Sequence, residues 1–364
     1  MRTLTVANMY PSEADPVYGT FVKIFYDGLC HHNHCGTNDL VTIRGKRRGV
    51  LSKIKAYIGF YASLFRTLCL KNYDLIYVHT VTFPILPIKL VGCFKKLPLV
   101  FNVHGGDVIP SNGLKAWLKE RAKPQLRKAA MIVCPTDYFK AVVLEEFPGV
   151  SAENLFVSPS GGLPGHFYLA APKERREIPV IGYVSRIDQG KGWDIYLKAL
   201  SIVKKAGVQF KGVMVGRGAQ VDSMIAMRDS LGLQGCVDYL GPKPQSELPE
   251  IYRSFDLFVF PTIRKAESLG LVGLEAMAAG TPVVASNMAG PAEYVRHGEN
   301  GYLFAPGDAD ELAEMILAYT RNATSRRDVM SENARATASD YRADIVARNL
   351  YEKLLTLPIL DGVR

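Results

Sequence analysis

Apolar residues along this chain come in short runs that are hydrophobic throughout, and longer stretches of helical character separate them. Residues 3–9 read as a buried first strand, followed by Leu75-Ile-Tyr-Val-His79, Leu99-Val-Phe-Asn-Val-His104, Met131-Ile-Val-Cys-Pro135 and Leu155-Phe-Val-Ser-Pro159. Helices are predicted at Phe21–His31 and between the last two of these strands. The pattern resumes at Val180, with strands at Gly212-Val-Met-Val-Gly216, Val237-Asp-Tyr-Leu-Gly241 and Leu257-Phe-Val-Phe-Pro261 and helices at Trp193–Gly207 and Glu247–Phe255. Strand and helix alternate throughout, which predicts an α/β fold. Between the halves, Ser160–Pro179 is polar and turn-rich, so a hinge is expected at 166–179, separating domains 1–165 and 180–342.

Length and charge refine this picture. A chain of 364 residues suits two domains. With 48% hydrophobic and 22% charged residues, disorder is excluded. Six cysteines without paired spacing predict free thiols in a reducing compartment. The N-terminus enters a strand pattern with no signal-peptide features, and no apolar run has spanning length, so a cytoplasmic protein is expected. Residues 1–170 hold 20 Lys and Arg against 11 Asp and Glu, while residues 171–364 hold 24 against 24. The whole net charge of +9 therefore sits in the first half. That half should meet something anionic, either a membrane face or an acceptor. Within it, the basic loop Arg44-Gly-Lys-Arg-Arg48 leads into an apolar, aromatic-rich helix at Leu51–Arg66. Two readings stay open for that helix: a core helix behind a solvated loop, or a segment lying in the interface of an anionic membrane. Nothing in the pattern calls for nucleic acid.

The candidate chemistry centres on Glu267-Ser-Leu-Gly-Leu-Val-Gly-Leu-Glu275, followed by Ala-Met-Ala-Ala-Gly280 and Thr281-Pro-Val-Val-Ala285. Two carboxylates bracket a turn that opens a short helix. If the helix starts near Gly270, its free amides and positive dipole end face an anion, ideally a phosphate. Glu275 then lies roughly 7.5 Å further along the axis at 1.5 Å per residue, with its carboxylate free to accept two vicinal hydroxyls. Carboxylate, amides, carboxylate is the order that suits a sugar, a diphosphate and a ribose.

Arg186 and Lys191 occupy a glycine-punctuated loop after the strand at Val180 and could clamp a diphosphate, one as a planar fork and the other as a point charge. His104 ends a strand run before Gly-Gly-Asp107, the carboxyl-end position where open α/β sheets hold ligands. Gly19 marks another strand-to-helix junction. Cys30-His-His-Asn-His-Cys35 reads as a solvated turn rather than a metal site, because ligand sets show more separated spacing. Asp308-Ala-Asp310 follows Pro-Gly and opens a helical run, so it reads as a helix cap.

The ordered set Arg186, Lys191-Gly192, Tyr239-Leu-Gly241, Ser254–Thr262, Glu267…Glu275, Gly280–Ala285 and Gly298-Glu-Asn-Gly-Tyr-Leu-Phe304 resembles family 4 of the retaining nucleotide-sugar glycosyltransferases. The resemblance is strong from Val180 to Phe304 and looser in residues 1–165. It implies a GT-B fold, two Rossmann-like domains facing across a cleft, with residues 343–364 carrying a last helix back to the first domain. By match to motif positions, Arg186 and Lys191 would stabilise the leaving diphosphate, and Glu275 would hold the ribose hydroxyls. Glu267 would contact the donor sugar, and Ser268, Leu269, Gly270 and Leu271 would belong to the donor site with it. The loop after Gly241 would cover the base, Gly19 would approach the diphosphate or acceptor, and His104 would lie beside the anomeric carbon. A retaining hexosyltransferase reaction is implied, with a UDP- or GDP-linked sugar as donor and a glycan or lipid-linked oligosaccharide as acceptor. No cofactor and no metal are expected, and the setting implied is surface-polysaccharide synthesis at the inner face of the cytoplasmic membrane. The Arg264-Lys265-Ala266 run departs from the expected uncharged approach to Glu267. An epimerase of similar fold and a non-catalytic nucleotide-sugar binder are the alternatives.

Overall fold

The computed structural model describes residues 1–15, 18–110, 112–169 and 176–360. The chain divides into two compact units, Met1–Gly162 with Ala343–Arg364, and Leu163–Arg342. Each is built on a six-stranded, wholly parallel sheet.

In the first unit the strands are β1 (Arg2–Tyr10), β2 (Thr37–Arg44), β3 (Leu75–His79), β4 (Leu99–Asn102), β5 (Met131–Cys134) and β6 (Leu155–Val157), ordered β2-β1-β3-β4-β5-β6. Helices α1 (Thr20–His32), α2 (Val50–Leu70), α3 (Ile85–Val91), α4 (Gly113–Arg127) and α5 (Asp137–Glu146) connect them. Both faces of the sheet are covered, which explains why the apolar runs do not alternate. On β3, Ile76 and Val78 join Phe60 and Leu64 in one core, while Leu75 and Tyr77 join Phe25 and Leu29 in the other. The chain leaves β1 in one direction toward β2 and returns on the other side as β3. The carboxyl ends of β1 and β3 thus flank a topological switch point, where α/β sheets hold ligands.

The second unit repeats the design with β7 (Val180–Val184), β8 (Lys211–Val215), β9 (Val237–Tyr239), β10 (Leu257–Phe260), β11 (Val283–Ser286) and β12 (Gly301–Phe304), ordered β12-β11-β10-β7-β8-β9. Its helices are α6 (Trp193–Lys205), α7 (Val221–Ser230), α8 (Leu248–Ser254), α9 (Leu271–Ala278), α10 (Pro291–Tyr294), α11 (Ala309–Arg321) and α12 (Thr324–Ser339). The switch point here lies between β7 and β10. Asp308 caps α11 by accepting from the Asp310 and Glu311 amides at 3.0 and 2.9 Å. The last helix, α13 (Ala343–Leu355), belongs to the first unit, where Leu350 and Leu354 pack with Phe25 and Leu29.

Three features differ from the sequence pattern. The first unit ends at Gly162 rather than 165, because Leu163 and Phe167 are buried in the second unit's core and the Leu163 amide donates to the Tyr341 carbonyl at 2.7 Å. The expected hinge at 166–179 includes residues 170–175, which lie outside the described residues. The helix expected at Leu51–Arg66 spans Val50–Leu70 and is core on one side only. Phe60, Leu64 and Leu68 are buried, whereas Val50, Leu51, Ile54, Ile58 and Phe65 are exposed. Among the described residues, no helix is long and apolar enough to cross a membrane.

Candidate functional site

At the second unit's switch point, three loops are fastened together. The chain leaves β7 at Val184, passes Arg186, Asp188 and Lys191, and enters α6 behind Gly192. Gly192 is left-handed (φ 75°), and a side-chain carbon there would stand 1.9 Å from the Pro261 carbonyl oxygen, so only glycine fits. The Ile263 amide donates to the Gly190 carbonyl at 3.0 Å, tying on the loop after β10. The Ala219 amide donates to Asp188 Oδ1 at 2.9 Å, tying on the loop after β8. This fastening brings Lys191 Nζ to 2.5 Å from Glu267 Oε2, with the two side chains only 12% and 16% exposed. Glu267 takes one ammonium proton and leaves the others for a ligand's oxygens. Arg186 stands further out, 59% exposed, with Nη1 at 2.9 Å from Asp188 Oδ2.

Glu267 continues into the turn Ser268-Leu269-Gly270-Leu271. Leu269 is buried and anchors it, and Gly270 is the left-handed N-cap of α9 (φ 76°). A side-chain carbon on Gly270 would meet the Phe260 ring at 2.4 Å. Tyr294 donates its hydroxyl to the Gly270 carbonyl at 2.9 Å, which fixes the turn from below. The N-cap is a glycine with no side chain to offer and no acidic residue lies in the first turn, so the amide end of α9 is electropositive. The charged run Arg264–Ala266 folds into a tight turn, with the Glu267 amide donating to the Arg264 carbonyl at 2.9 Å.

Glu275 differs from the expectation. Its carboxylate is not free: the residue is 7% exposed, and the buried Tyr252 of α8 donates to Oε2 at 2.8 Å. At most the other oxygen is left for a ligand's hydroxyls. Burial pushes the Glu275 carboxyl up to about 7, partly offset by the Tyr252 hydrogen bond. Gly241 is left-handed and accepts from the Gly216 amide at 3.0 Å, placing the Pro242–Ser246 loop at the carboxyl end of β9.

The remaining candidates lie in the first unit. Gly19 is the N-cap of α1, set against the backbone of Met9 and Tyr10 at the end of β1. His104 follows β4, and its amide donates to Asp107 Oδ1 at 2.8 Å. Its Nε2 lies 3.1 Å from Nδ1 of the buried His79, and the two rings stack at 12°. Part of His104 reaches solvent, yet its imidazole sits among Phe21, Phe25 and His79. That desolvation pushes its pKa down to about 3, so the imidazole is neutral. A neutral ring can still donate one hydrogen bond to developing charge. In the Cys30–Cys35 stretch, His32 stacks on Tyr351 of α13. Among the described residues, no group of three or more His, Cys, Asp or Glu converges as metal ligands.

Comparisons with known proteins bear on both units. Residues 20–161 match the family described as Glycosyltransferase Family 4, and residues 169–337 match Glycosyl transferases group 1. The D-inositol 3-phosphate glycosyltransferase of Corynebacterium jeikeium is 32% identical over 293 residues, covering 72% of this chain and 68% of that protein. The chain belongs to glycosyltransferase family 4. The amylovoran biosynthesis glycosyltransferase AmsK of Erwinia amylovora is 30% identical over 213 residues, 57% of this chain and 52% of that one. The match to AmsK therefore spans about half of that relative's length. Anabaena HepE, solved in complex with UDP and glucose, aligns with 98% of this chain and 100% of its own at a TM-score of 0.76 and 22% identity. Sucrose-phosphate synthase from Thermosynechococcus elongatus aligns at a TM-score of 0.75 and 18% identity, covering 97% and 99%. The fold is GT-B.

In this family 4 glycosyltransferase, sequence reasoning overlooked the residues that hold the candidates in place. Tyr252 orients Glu275, His79 orients His104, and Asp188 holds Arg186 while joining two loops. Only Asp188 carried a local signal, as a carboxylate two residues from an arginine in one loop. Tyr252 and His79 meet their partners across 23 and 25 residues of chain, at separations set by tertiary packing alone.

Proposed function

We propose that the second unit binds a nucleotide-diphosphate sugar, UDP- or GDP-linked first, and that the enzyme passes the sugar to a hydroxyl of a glycan or lipid-linked acceptor with retained anomeric configuration and without a metal ion. The observation that carries this is the half-closed Lys191–Glu267 pair beside the electropositive amide end of α9, with Glu275 one turn further on. As the anomeric C–O bond breaks, negative charge grows on the β-phosphate. The spare Lys191 protons and the α9 amides would receive it in a water-poor setting, where preorganised donors count most. The Arg186 guanidinium, held by Asp188 at the surface, would turn inward to the same charge. Glu267, already held by Lys191, would accept from sugar hydroxyls rather than form a covalent bond, so the acceptor would attack from the leaving-group side. The UDP in the HepE structure supports the donor class, and AmsK supports a biosynthetic setting for a polysaccharide. A thermal-shift panel of UDP-, GDP-, ADP- and dTDP-sugars tests the donor, since a ligand that binds only the folded state raises its melting point. Lys191→Ala should depress transfer at least a hundredfold while the variant stays folded. Wild-type turnover in that variant, or an inverted product anomer by NMR, ends the reading.

For the acceptor side we infer a peripheral contact with an anionic membrane. Val50, Leu51, Ile54, Ile58 and Phe65 recur at helical spacing on one exposed side of α2, with Lys46, Arg47, Arg48, Lys53 and Lys55 exposed around its start. Apolar residues at the headgroup boundary beside cations are what anionic bilayers attract. Flotation with phosphatidylglycerol vesicles should recover the wild type and lose Leu51→Asp/Ile54→Asp; equal recovery refutes the contact.

A further inference from the structure

The first unit holds a cavity of about 320 Å³ that the donor chemistry does not use. It lies beside the β1/β3 switch point, at the carboxyl ends of β1, β2 and β3, between α2 and the loops after β1 and β2. Its polar wall is made of Asn8, Tyr18, Lys46, Arg47, Lys53 and Tyr57. Three of these are cations, and among the described residues no carboxylate lines the space. Among the described residues the Lys46, Arg47 and Lys53 side chains make no ion pair, whereas Lys71 and Lys23 of the same unit are paired with Asp39 and Asp27. Asp15 accepts from the Lys46 backbone amide at 3.0 Å, which shapes the loop.

Beneath the cations is a preset donor. Thr80 donates through Oγ1 to Asn8 Oδ1 at 3.4 Å, so the Asn8 amide nitrogen faces the other way and donates to the Tyr57 hydroxyl oxygen at 3.2 Å. Asn8 is 4% exposed and cannot turn to solvent. With its oxygen already accepting, Tyr57 keeps its hydroxyl proton for the cavity. Burial raises both Tyr57 and Tyr18, and both phenols therefore remain donors at neutral pH. Cations around phenolic donors form a site for a group with several anionic oxygens. The volume is at the lower end of the ~300–1,000 Å³ usual for small-molecule sites, enough for a compact headgroup.

We propose that this cavity seats the phosphoryl or diphosphoryl group of the acceptor, so that the acceptor is a phosphorylated one. This rests on the glycosyltransferase reading above, but its site is separate from the donor's. The same chemistry could come from a soluble sugar phosphate or from a lipid-linked diphosphate. The test is calorimetric titration of the full chain with inorganic pyrophosphate and with geranylgeranyl diphosphate. Wild type, K46A/R47A/K53A, Tyr57→Phe and Lys191→Ala are compared.

Pyrophosphate can also enter the donor clamp, so the reading is taken on the Lys191→Ala background: binding should persist there, fall at least tenfold when the triple substitution is added, and fall a few-fold with Tyr57→Phe. The triple variant should keep the wild-type melting point and nucleotide-sugar shift, since its three side chains are exposed. Tighter binding of the prenyl compound than of pyrophosphate supports the site with a lipid-linked source, and equal binding supports it with a soluble one. Pyrophosphate binding that is lost in Lys191→Ala but kept in the triple variant belongs to the donor site and overturns the proposal. So does a wild type that ignores pyrophosphate yet collects on phosphatidylglycerol vesicles through these three cations. A nucleotide-sugar panel without a hit, beside cation-dependent pyrophosphate binding, would count against the donor reading alone.

Discussion

A carboxyl group surrounded by protein and touched by a single phenol releases its proton late, and Glu275 is such a group, raised to about 7 from an ordinary 4.5. The sign of its effect on stability follows. Between those two values the folded chain holds a proton that the unfolded chain has lost, so this contribution is complete below pH 4.5 and disappears as pH rises to 7. The loss is on the order of 3 kcal/mol at about 1.4 kcal/mol per unit. Glu275→Gln cannot titrate. Its urea-unfolding free energy should therefore gain on wild type by about 2–3 kcal/mol between pH 5 and pH 7.5; parallel pH profiles for the two proteins would show that Glu275 is ionised throughout. His104 works in the opposite direction. Depressed to about 3, it stays neutral in the folded chain while the unfolded chain takes up a proton below the ordinary 6.5, so its contribution is present above that value and lost as the solution is acidified.

Among elements, the loop between β7 and α6 tolerates least. Gly192→Ala would place a methyl carbon against the Pro261 carbonyl and also force a left-handed backbone on a residue with a side chain. A destabilisation of ~2–4 kcal/mol is expected, of the size reserved for strain at a special backbone position. The loss should read out as a lowered urea midpoint together with a lost nucleotide-sugar shift, because Lys191 is the adjacent residue. An unchanged midpoint would mean that the β7 and β10 loops separate easily. The strands on either side were legible from sequence, since a parallel sheet covered on both faces writes itself as uninterrupted apolar runs. Lys191 was legible as a cation on a short loop after such a run. Its pairing with Glu267 was not, because the two are 76 residues apart and meet only through the order in which strands are laid down. The apolar residues of α2 were visible, but which of them would be left uncovered depended on where Phe60, Leu64 and Leu68 found their core.

For the molecule as a whole, the division into two separately cored units localises the response to ligand. A nucleotide-sugar at a hundred times its Kd adds about 2.7 kcal/mol to the state that binds it. Hydrogen exchange followed by mass spectrometry should then slow in residues 185–192 and 262–275, while residues 8–15 and 43–57 keep their rates. Pyrophosphate added to the Lys191→Ala variant should give the reverse map. Slowing by nucleotide-sugar confined to the first unit would displace the donor site altogether.

The hydrogen bond between the Leu163 amide and the Tyr341 carbonyl sets the entry and exit of the second unit side by side. A segment whose two ends touch can be traded for the equivalent piece of a relative through two neighbouring joints. Recombination can then replace the whole second unit in one exchange, with the first unit inherited intact.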